Sequence, residues 1–86
     1  MNPSEILKRV TQAVRKVRPD LSVADLKPEK SLIEDLGFDS MSLVALAGEL
    51  ESIFEKSLPL SDWVGAERDK GLKLGSLLQF LEQALK

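Results

Sequence analysis

Apolar side chains recur at intervals of three and four residues in three stretches of this chain. The stretches run from the N-terminal region to Pro19, from Met41 to Lys56, and from Leu74 onward. This spacing places apolar side chains on one face of an α-helix, whereas the β-branched or aromatic runs that favour strands are few. The pattern predicts an all-α fold, a small four-helix bundle with three main helices, one short helix and a long first loop. The core positions that it predicts are Ile6, Val10, Ala13, Val14, Val17, Leu43, Leu46, Ala47, Leu50, Phe54, Leu74, Leu77, Leu78, Leu81 and Leu85.

Residues with strong capping preferences mark where the main helices begin. Asn2 is expected to cap the first helix, with Pro3 in its first turn and Glu5 completing a capping-box pattern. Asp39 and Ser40 are both good N-cap residues for the second helix. We expect the last helix to close the bundle against the first two.

The segment between the first two helices, residues 20–39, contains Pro28 and is long for a structureless loop in a compact domain. Residues 31–35 are expected to add a helical turn. The apolar residues of the segment are expected to point toward the bundle, and these are Leu21, Val23, Leu26, Leu32, Ile33, Leu36 and Phe38.

A short helix is expected in the region before the last helix. Ser61 and Asp62 are candidate caps for it, and it would carry Trp63 and Val64. The charged residues 67–70 are interpreted as an exposed loop or frayed turn. Trp63 is the only tryptophan of the chain and is interpreted first as a core or lid residue.

The second helix carries a second apolar stripe, roughly opposite its core stripe. A helix of a small domain cannot easily bury both faces, so this stripe is predicted to stay exposed as a docking surface for a partner. The competing interpretation is that it packs under the preceding loop. Glycine within the stripe would leave a flat place for another backbone to approach. The predicted docking residues are Met41, Val44, Ala45 and Gly48, continued by Glu51 and Glu55.

Length and composition exclude several kinds of chemistry. Residues 1–86 are expected to form one domain with a modest core. The chain has no cysteine and no histidine, which removes disulfides, zinc sites with ordinary ligands and histidine-based acid/base catalysis. Any thiol chemistry would have to come from a prosthetic group. No apolar run reaches the length of a transmembrane helix, and a cytoplasmic monomer is the simplest expectation.

Charge is distributed unevenly along the chain. Residues 1–19 carry +4, residues 20–62 carry −7, and the whole chain carries −2. Cations near a helix C-terminus complement the helix dipole, so the basic first helix is interpreted as a solvated face rather than a nucleic-acid site. The acidic middle of the chain is expected to face basic partners.

Ser40 is the candidate for chemistry because it stands where the acidic loop becomes a helix. A serine at a helix start lies close to unpaired backbone N–H groups, and the helix dipole would favour an attached anion such as a phosphate. The simpler interpretation is that Ser40 only caps the helix. The sequence places no histidine or lysine to activate its hydroxyl, so Ser40 is not expected to be a catalyst.

The residues around Ser40 carry a family resemblance. The run Leu36-Gly37-Phe38-Asp39-Ser40-Met41, followed by an amphipathic helix, Phe54 and the pair Leu58-Pro59, resembles the acyl carrier proteins over nearly the whole chain. The resemblance implies that a phosphopantetheinyl transferase attaches 4′-phosphopantetheine from coenzyme A to Ser40. The thiol of this group would hold acyl intermediates as thioesters for acyl-loading and acyl-processing enzymes of fatty-acid, lipid or polyketide biosynthesis.

The same resemblance implies roles for neighbouring residues. Asp39 would help the transferase to recognise the carrier by interacting with the magnesium ion of the transferase. Acyl cargo would lie between the helices, where Trp63 would contact it. The candidate pocket residues are Leu46, Ala47, Leu50 and Trp63. The chain itself would be a non-catalytic carrier.

The chain also departs from the family pattern. Met41 replaces the usual leucine, and Ala45 and Gly48 stand where carriers for bulk fatty-acid synthesis have glutamates. These differences make a dedicated carrier for a polyketide, lipid-modification or secondary-metabolite pathway at least as good an expectation as a carrier for bulk fatty-acid synthesis. Peptidyl carriers usually have Gly-Gly-His/Asp-Ser around the serine, and this chain matches that motif less well than the acyl carrier motif. An aminoacyl carrier is still an open alternative. A helical interaction module without a prosthetic group also stays open, and a small enzyme is the weakest candidate.

Overall fold

Four α-helices form the fold of residues 2–85, the part of the chain that this computed structural model describes. They are α1 (Pro3–Val17), α2 (Ser40–Phe54), α3 (Leu60–Glu67) and α4 (Leu74–Ala84). Short 3₁₀ segments lie at Val23–Asp25 and Arg68–Lys70. No strand forms among the described residues. A single pair of residues, Ser31 and Lys73, forms an isolated antiparallel β-bridge there. The predicted all-α fold with one short helix is confirmed. No helix of residues 2–85 combines the length and the apolar character needed to cross a bilayer.

The observed ends of α1 and α2 agree with some of the predicted caps and differ from others. The Asn2 side chain accepts a hydrogen bond from the Glu5 N–H at 2.8 Å, so Asn2 caps α1 as predicted. The Glu5 carboxylate does not complete the predicted capping box, because it accepts a hydrogen bond from Arg9 Nε at 3.1 Å instead. Asp39 caps α2 and Ser40 is its first helical residue, so the interpretation of Ser40 as the cap is wrong. The second helix stops at Phe54 rather than Lys56, because Glu55 adopts a left-handed φ of 53°.

The short helix begins earlier and extends further than predicted. Pro59 occupies its N-cap position and makes no side-chain cap bond, so Ser61 and Asp62 lie inside the first turn and do not cap it. Part of the predicted loop at residues 67–70 is helical, because α3 extends to Glu67 and a 3₁₀ turn follows. The turn ends at Gly71, whose φ of 87° suits a residue without a side chain.

The core lies where α1 packs against α2 and α4. The last helix packs on α1 as predicted and also contacts α3, and its buried side chains share one core with those of α2. The backbones of α2 and α3 make few contacts, which leaves room between their side chains. The fully buried large side chains of the core are Ile6, Val10, Val14, Leu32, Leu50, Leu72, Leu74, Leu77 and Leu81.

The long first loop is fixed to the start of α4 by backbone hydrogen bonds. The Leu74 N–H donates to the Lys30 carbonyl at 2.9 Å, and the Gly75 N–H donates to the Pro28 carbonyl at 2.9 Å. The predicted turn at 31–35 is present, since the N–H groups of Asp35 and Leu36 both donate to the Ser31 carbonyl. The loop is therefore ordered without being a helix.

Most of the apolar residues of this loop point inward, as predicted. Leu26, Leu32, Leu36 and Phe38 are buried, and Leu21 is half-buried against the core. Two predictions are wrong: Val23 is 62% exposed and Ile33 is 42% exposed. Val23 lies in the surface 3₁₀ turn. Ile33 points outward because the turn places Leu32 and Leu36 on its inner side.

Two glycines inside helices have opposite surroundings, and this yields a first prediction. A Cβ added at Gly48 would meet no atom within 4 Å, whereas at Gly75 it would lie 3.1 Å from Pro28 Cβ and 3.2 Å from its carbonyl oxygen. Gly48→Ala is expected to raise the free energy of unfolding by about 1 kcal/mol, because alanine favours helix. Gly75→Ala is the control and is expected to lower it. Urea unfolding of both variants checks this, and equal changes in the two would contradict it.

Candidate functional site

Ser40 lies exposed at the first position of α2. Its hydroxyl makes no hydrogen bond to any of residues 2–85, although it stands beside the free N–H groups at the start of a 15-residue helix. The hydroxyl is therefore open to solvent and to an approaching enzyme. Helix formation at this site does not depend on it, because Asp39 supplies the cap.

Asp39 holds the first turn of α2 from one position upstream. Its side chain accepts a hydrogen bond from the Ser42 N–H at 2.8 Å, and its carbonyl accepts one from the Leu43 N–H at 2.9 Å. The bond from Ser42 lowers the pKa of Asp39 below its usual value. The site thus presents an ionised carboxylate next to the serine hydroxyl.

The loop that leads into Ser40 is tied to the end of α1 by Arg18. Its Nη1 donates to the carbonyl oxygens of Leu36 at 3.1 Å and Gly37 at 2.8 Å. Gly37 has a φ of 72°, and a Cβ there would lie 2.9 Å from Arg18 Nη1. Asp20 orients the guanidinium through two hydrogen bonds of 3.1 and 3.0 Å.

Sequence reasoning missed this contact, because it interpreted the basic residues of the first helix, Arg18 among them, as one solvated face. That assignment holds for Lys8, Arg15 and Lys16, which are exposed, but Arg9 and Arg18 are half-buried. Arg9 donates to the Ile53 carbonyl at 3.2 Å. An arginine followed two residues later by an aspartate is the only sequence signal for the Arg18 contact, and it carries little information without the fold.

An apolar cavity of about 410 Å³ lies between α2 and α3 and reaches Ser40. All four residues predicted to surround a pocket line it. The other lining residues were not predicted from the sequence. The lining residues are Ser40, Leu43, Val44, Leu46, Ala47, Leu50, Leu60, Ser61, Trp63, Val64, Gly65, Arg68 and Leu77.

Trp63 is both a core residue and part of the cavity wall. It is 6% exposed, and its ring centroid lies 6.5 Å from that of Phe80. Its Nε1–H donates to the Ser76 hydroxyl at 3.0 Å, so the polar atom of the indole is satisfied inside the protein. The core interpretation is confirmed, and the indole still borders the cavity.

The second apolar stripe of α2 is exposed. Met41 is 83% exposed and Val44 is 74% exposed, and Ala45 and Gly48 are exposed beside them. The interpretation in which this stripe packs under the preceding loop is therefore wrong. The two large apolar side chains lie within one turn of Ser40.

The two glutamates predicted to border this stripe differ from each other. Glu51 is half-buried, and its carboxylate accepts a hydrogen bond from the Leu58 N–H at 2.8 Å. It is therefore engaged in fixing the loop after α2 rather than freely exposed as the spacing predicts. Glu55 is exposed, but it lies at the C-cap of α2, beyond the last helical residue.

Comparison with known families identifies this arrangement. The family model described as phosphopantetheine attachment site matches residues 6–66, more than two thirds of the chain. The chain belongs to the phosphopantetheine attachment-site family. No solved structure gives a significant match to it. Members of this family carry covalently attached phosphopantetheine, and the match spans most of α1, the whole of α2 and nearly all of α3.

The residues of this carrier domain fit such a group. Attachment through a phosphodiester needs an accessible hydroxyl, and the Ser40 hydroxyl is exposed and free of protein hydrogen bonds within residues 2–85. The N-terminus of α2 favours a phosphate. The cavity that reaches Ser40 offers an apolar place next to the attachment point.

The cap of α2 gives this carrier domain a pH-dependent element. Because the pKa of Asp39 is lowered in the folded state, its stabilising effect is complete above the unfolded pKa, about 3.9, and is lost as the pH falls through the folded value. We expect Asp39→Ala to lower the urea midpoint at pH 7 and to change it much less near pH 2. Asp39→Asn, which keeps a capping oxygen, should lower the midpoint less at pH 7.

Glu29 offers a matched control, since its exposed carboxylate makes no hydrogen bond within residues 2–85. Glu29→Ala should leave the midpoint nearly unchanged at pH 7. Urea unfolding at both pH values measures the effect. A loss in Asp39→Ala that has the same size at pH 7 and pH 2 would show that the carboxylate does not cap α2 through its charged form.

Proposed function

We propose that Ser40 carries 4′-phosphopantetheine and that the chain is an acyl carrier protein. The observation that carries this proposal is the exposed, unbonded hydroxyl of Ser40 at the start of α2, next to an apolar cavity. When bound, the group supplies the thiol that this cysteine-free chain lacks, and that thiol holds acyl intermediates as thioesters. The chain itself acts as a non-catalytic carrier and as a substrate of a phosphopantetheinyl transferase.

The surroundings of Ser40 support a substrate role rather than a catalytic one. No base accepts a hydrogen bond from its hydroxyl within residues 2–85, and the sequence contains no histidine. Activation of the hydroxyl therefore belongs to the transferase. Asp39 stays ionised beside it, and we assign it to recognition by the transferase through the magnesium ion of that enzyme.

The exposed stripe of α2 is the proposed docking surface for the transferase and for acyl-loading and acyl-processing enzymes. Its apolar part consists of Met41, Val44, Ala45 and Gly48, and its charged border is Glu55. Glu51 contributes to this surface indirectly, because its carboxylate accepts a hydrogen bond that fixes the loop after α2. The net charge of −7 over residues 20–62 favours basic partner surfaces.

The cavity between α2 and α3 is the proposed site for the acyl chain, with Leu46, Ala47, Leu50 and Trp63 in contact with it. Its volume of about 410 Å³ lies within the range of about 300–1,000 Å³ for small-molecule pockets. Its lining favours an aliphatic acyl group over an aminoacyl group. Arg68 is always charged, and it would repel the ammonium of an amino acid at the cavity wall.

Our inference about the pathway is supported by the absence of two glutamates from the docking surface. Ala45 and Gly48 are exposed where bulk fatty-acid carriers have glutamates, so an enzyme that reads those charges would bind weakly here. We infer a dedicated pathway for a polyketide, a modified lipid or a secondary metabolite, located in the cytoplasm.

Intact mass spectrometry tests the carrier function directly. The folded chain is incubated with coenzyme A, magnesium and a broad-specificity transferase, and the modified peptide is then mapped. A gain of one phosphopantetheine on the peptide containing Ser40 is expected. No gain with several transferases, on a sample with a native helical spectrum, would overturn the proposal in favour of a helical interaction module.

Trp63 reports on cargo, because it is the only tryptophan and lines the cavity. Loading an octanoyl group is expected to shift its fluorescence emission to shorter wavelength, since an apolar chain replaces water beside the indole. An acetyl group is the control, because it is too short to fill the cavity and should leave the emission unchanged. Identical spectra for the two cargoes would show that the acyl chain stays outside.

A further inference from the structure

Arg18 forms a bridge between the end of α1 and the loop that precedes Ser40. It occupies the C-cap position of α1, and its side chain is about one-third exposed. One of its nitrogens donates to two successive carbonyls, those of Leu36 and Gly37, while Asp20 accepts from two other nitrogens. Arginine suits this position because its rigid guanidinium carries several donors in fixed directions.

The bridge holds a part of the loop that other contacts leave free. Phe38 is anchored by burial and by its N–H, which donates to the Leu32 carbonyl at 2.8 Å, and Asp39 is held by the cap of α2. Gly37 is exposed and has the conformational freedom of glycine. The carbonyl of Gly37 accepts from Arg18, and no other residue of 2–85 donates to it.

The bridge also stays charged over the whole physiological pH range. The hydrogen bond to Asp20 raises the pKa of Arg18 and lowers the pKa of Asp20. Both groups are therefore ionised, and their hydrogen bonds are charge-assisted. Arg18 also lies close enough to the negative charge of Asp39 to be influenced by it.

We propose that Arg18 is a positioning residue for the modification of Ser40, because it fixes the loop at Gly37 in the shape that the transferase binds. This inference rests on the proposed function of Ser40. A loop that is already ordered does not lose its freedom when the enzyme binds. Arg18 therefore acts on binding of the carrier, and the chemical step is left to the transferase.

Arg18→Ala and Asp20→Asn test the bridge, and Arg15→Ala is the matched control. Arg15 is also on α1 and donates to a loop carbonyl, that of Leu21 at 3.0 Å, but this contact is remote in sequence from Ser40. Hydrogen exchange of the amides of residues 37–39 is measured first, followed by the KM and kcat of a transferase for each variant as carrier.

We expect Arg18→Ala to speed hydrogen exchange at residues 37–39. We also expect it to raise the KM of the transferase about tenfold with kcat nearly unchanged, because about one residue must then be ordered when the enzyme binds. Asp20→Asn should show a smaller change in the same direction, and Arg15→Ala none. Arg18→Lys should recover only part of the loss, because a lysine cannot bond both carbonyls and Asp20 in the same fixed geometry.

The outcomes separate this inference from the proposed function. If the parent chain is not modified, the proposed function is overturned and the inference with it. If the parent chain is modified and Arg18→Ala has the same exchange rates and the same KM, only the inference is overturned. A fall in kcat without a change in KM would also overturn it, because the residue would then act on the chemical step.

Discussion

Replacement of Ser40 by alanine is expected to abolish phosphopantetheinylation of the chain. The variant lacks the oxygen to which the group would be attached, so intact mass should show no gain after incubation with coenzyme A, magnesium and a transferase. The fold should persist, because the Ser40 side chain is exposed and Asp39 caps α2. Alanine is also a better helix former than serine. The far-ultraviolet circular dichroism of the variant should match that of the parent.

Two nearby serines provide controls for this experiment. Ser42 lies in the same first turn of α2, and Ser61 lines the same cavity. Ser42→Ala and Ser61→Ala should each gain one phosphopantetheine, as the parent does. A mass gain in Ser40→Ala would show that another hydroxyl is the acceptor. Loss of modification in Ser42→Ala alone would move the attachment site to that residue.

The largest expected effect on stability is that of Leu81→Ala. Leu81 is fully buried in α4 and belongs to the core between this helix and its neighbours. Truncation of a buried leucine costs about 2–5 kcal/mol through lost burial and the cavity left behind. This is a large part of the total stability of a small domain, about 5–15 kcal/mol. The Tm should fall by at least about 8 °C.

Leu7→Ala makes the same chemical change at a site that is 41% exposed. Its cost should be well under half that of Leu81→Ala, because the leucine at this site is only partly withdrawn from water. Urea and thermal unfolding of both variants measure the difference. Similar losses would contradict the assignment of Leu81 to the core. Leu81 is preferred to Leu77 for this test, because Leu77 also lines the cavity beside Ser40.

The helices could be predicted from the sequence because their signals are local. Apolar spacing of three and four residues located α1, α2 and α4, and the caps of α1 and α2 lie among the residues that were chosen for them. The choice between Asp39 and Ser40 as cap could not be made in this way. Both residue types suit that position, and the backbone decides which side chain reaches the N–H of Ser42.

The candidate site is only partly local. The stretch from Leu36 to Met41 indicated Ser40, and the second apolar stripe of α2 is exposed as its spacing predicts. Glu51 has the spacing of that stripe, yet its carboxylate bonds to the Leu58 N–H, seven residues away in sequence. Helical periodicity cannot predict a contact with a chain segment that folds back onto the end of the helix.

The sequence by itself determined the all-α class, the helix faces and the candidate serine, because each depends on residues within a turn or two of one another. Only the tertiary structure decided the cavity between α2 and α3, the contact of α4 with α3 and the contact of Arg18 with the loop before Ser40. Each of these depends on distances between segments far apart in the chain. Such distances are set by the packing of the whole core. They cannot be predicted from any single stretch of the sequence.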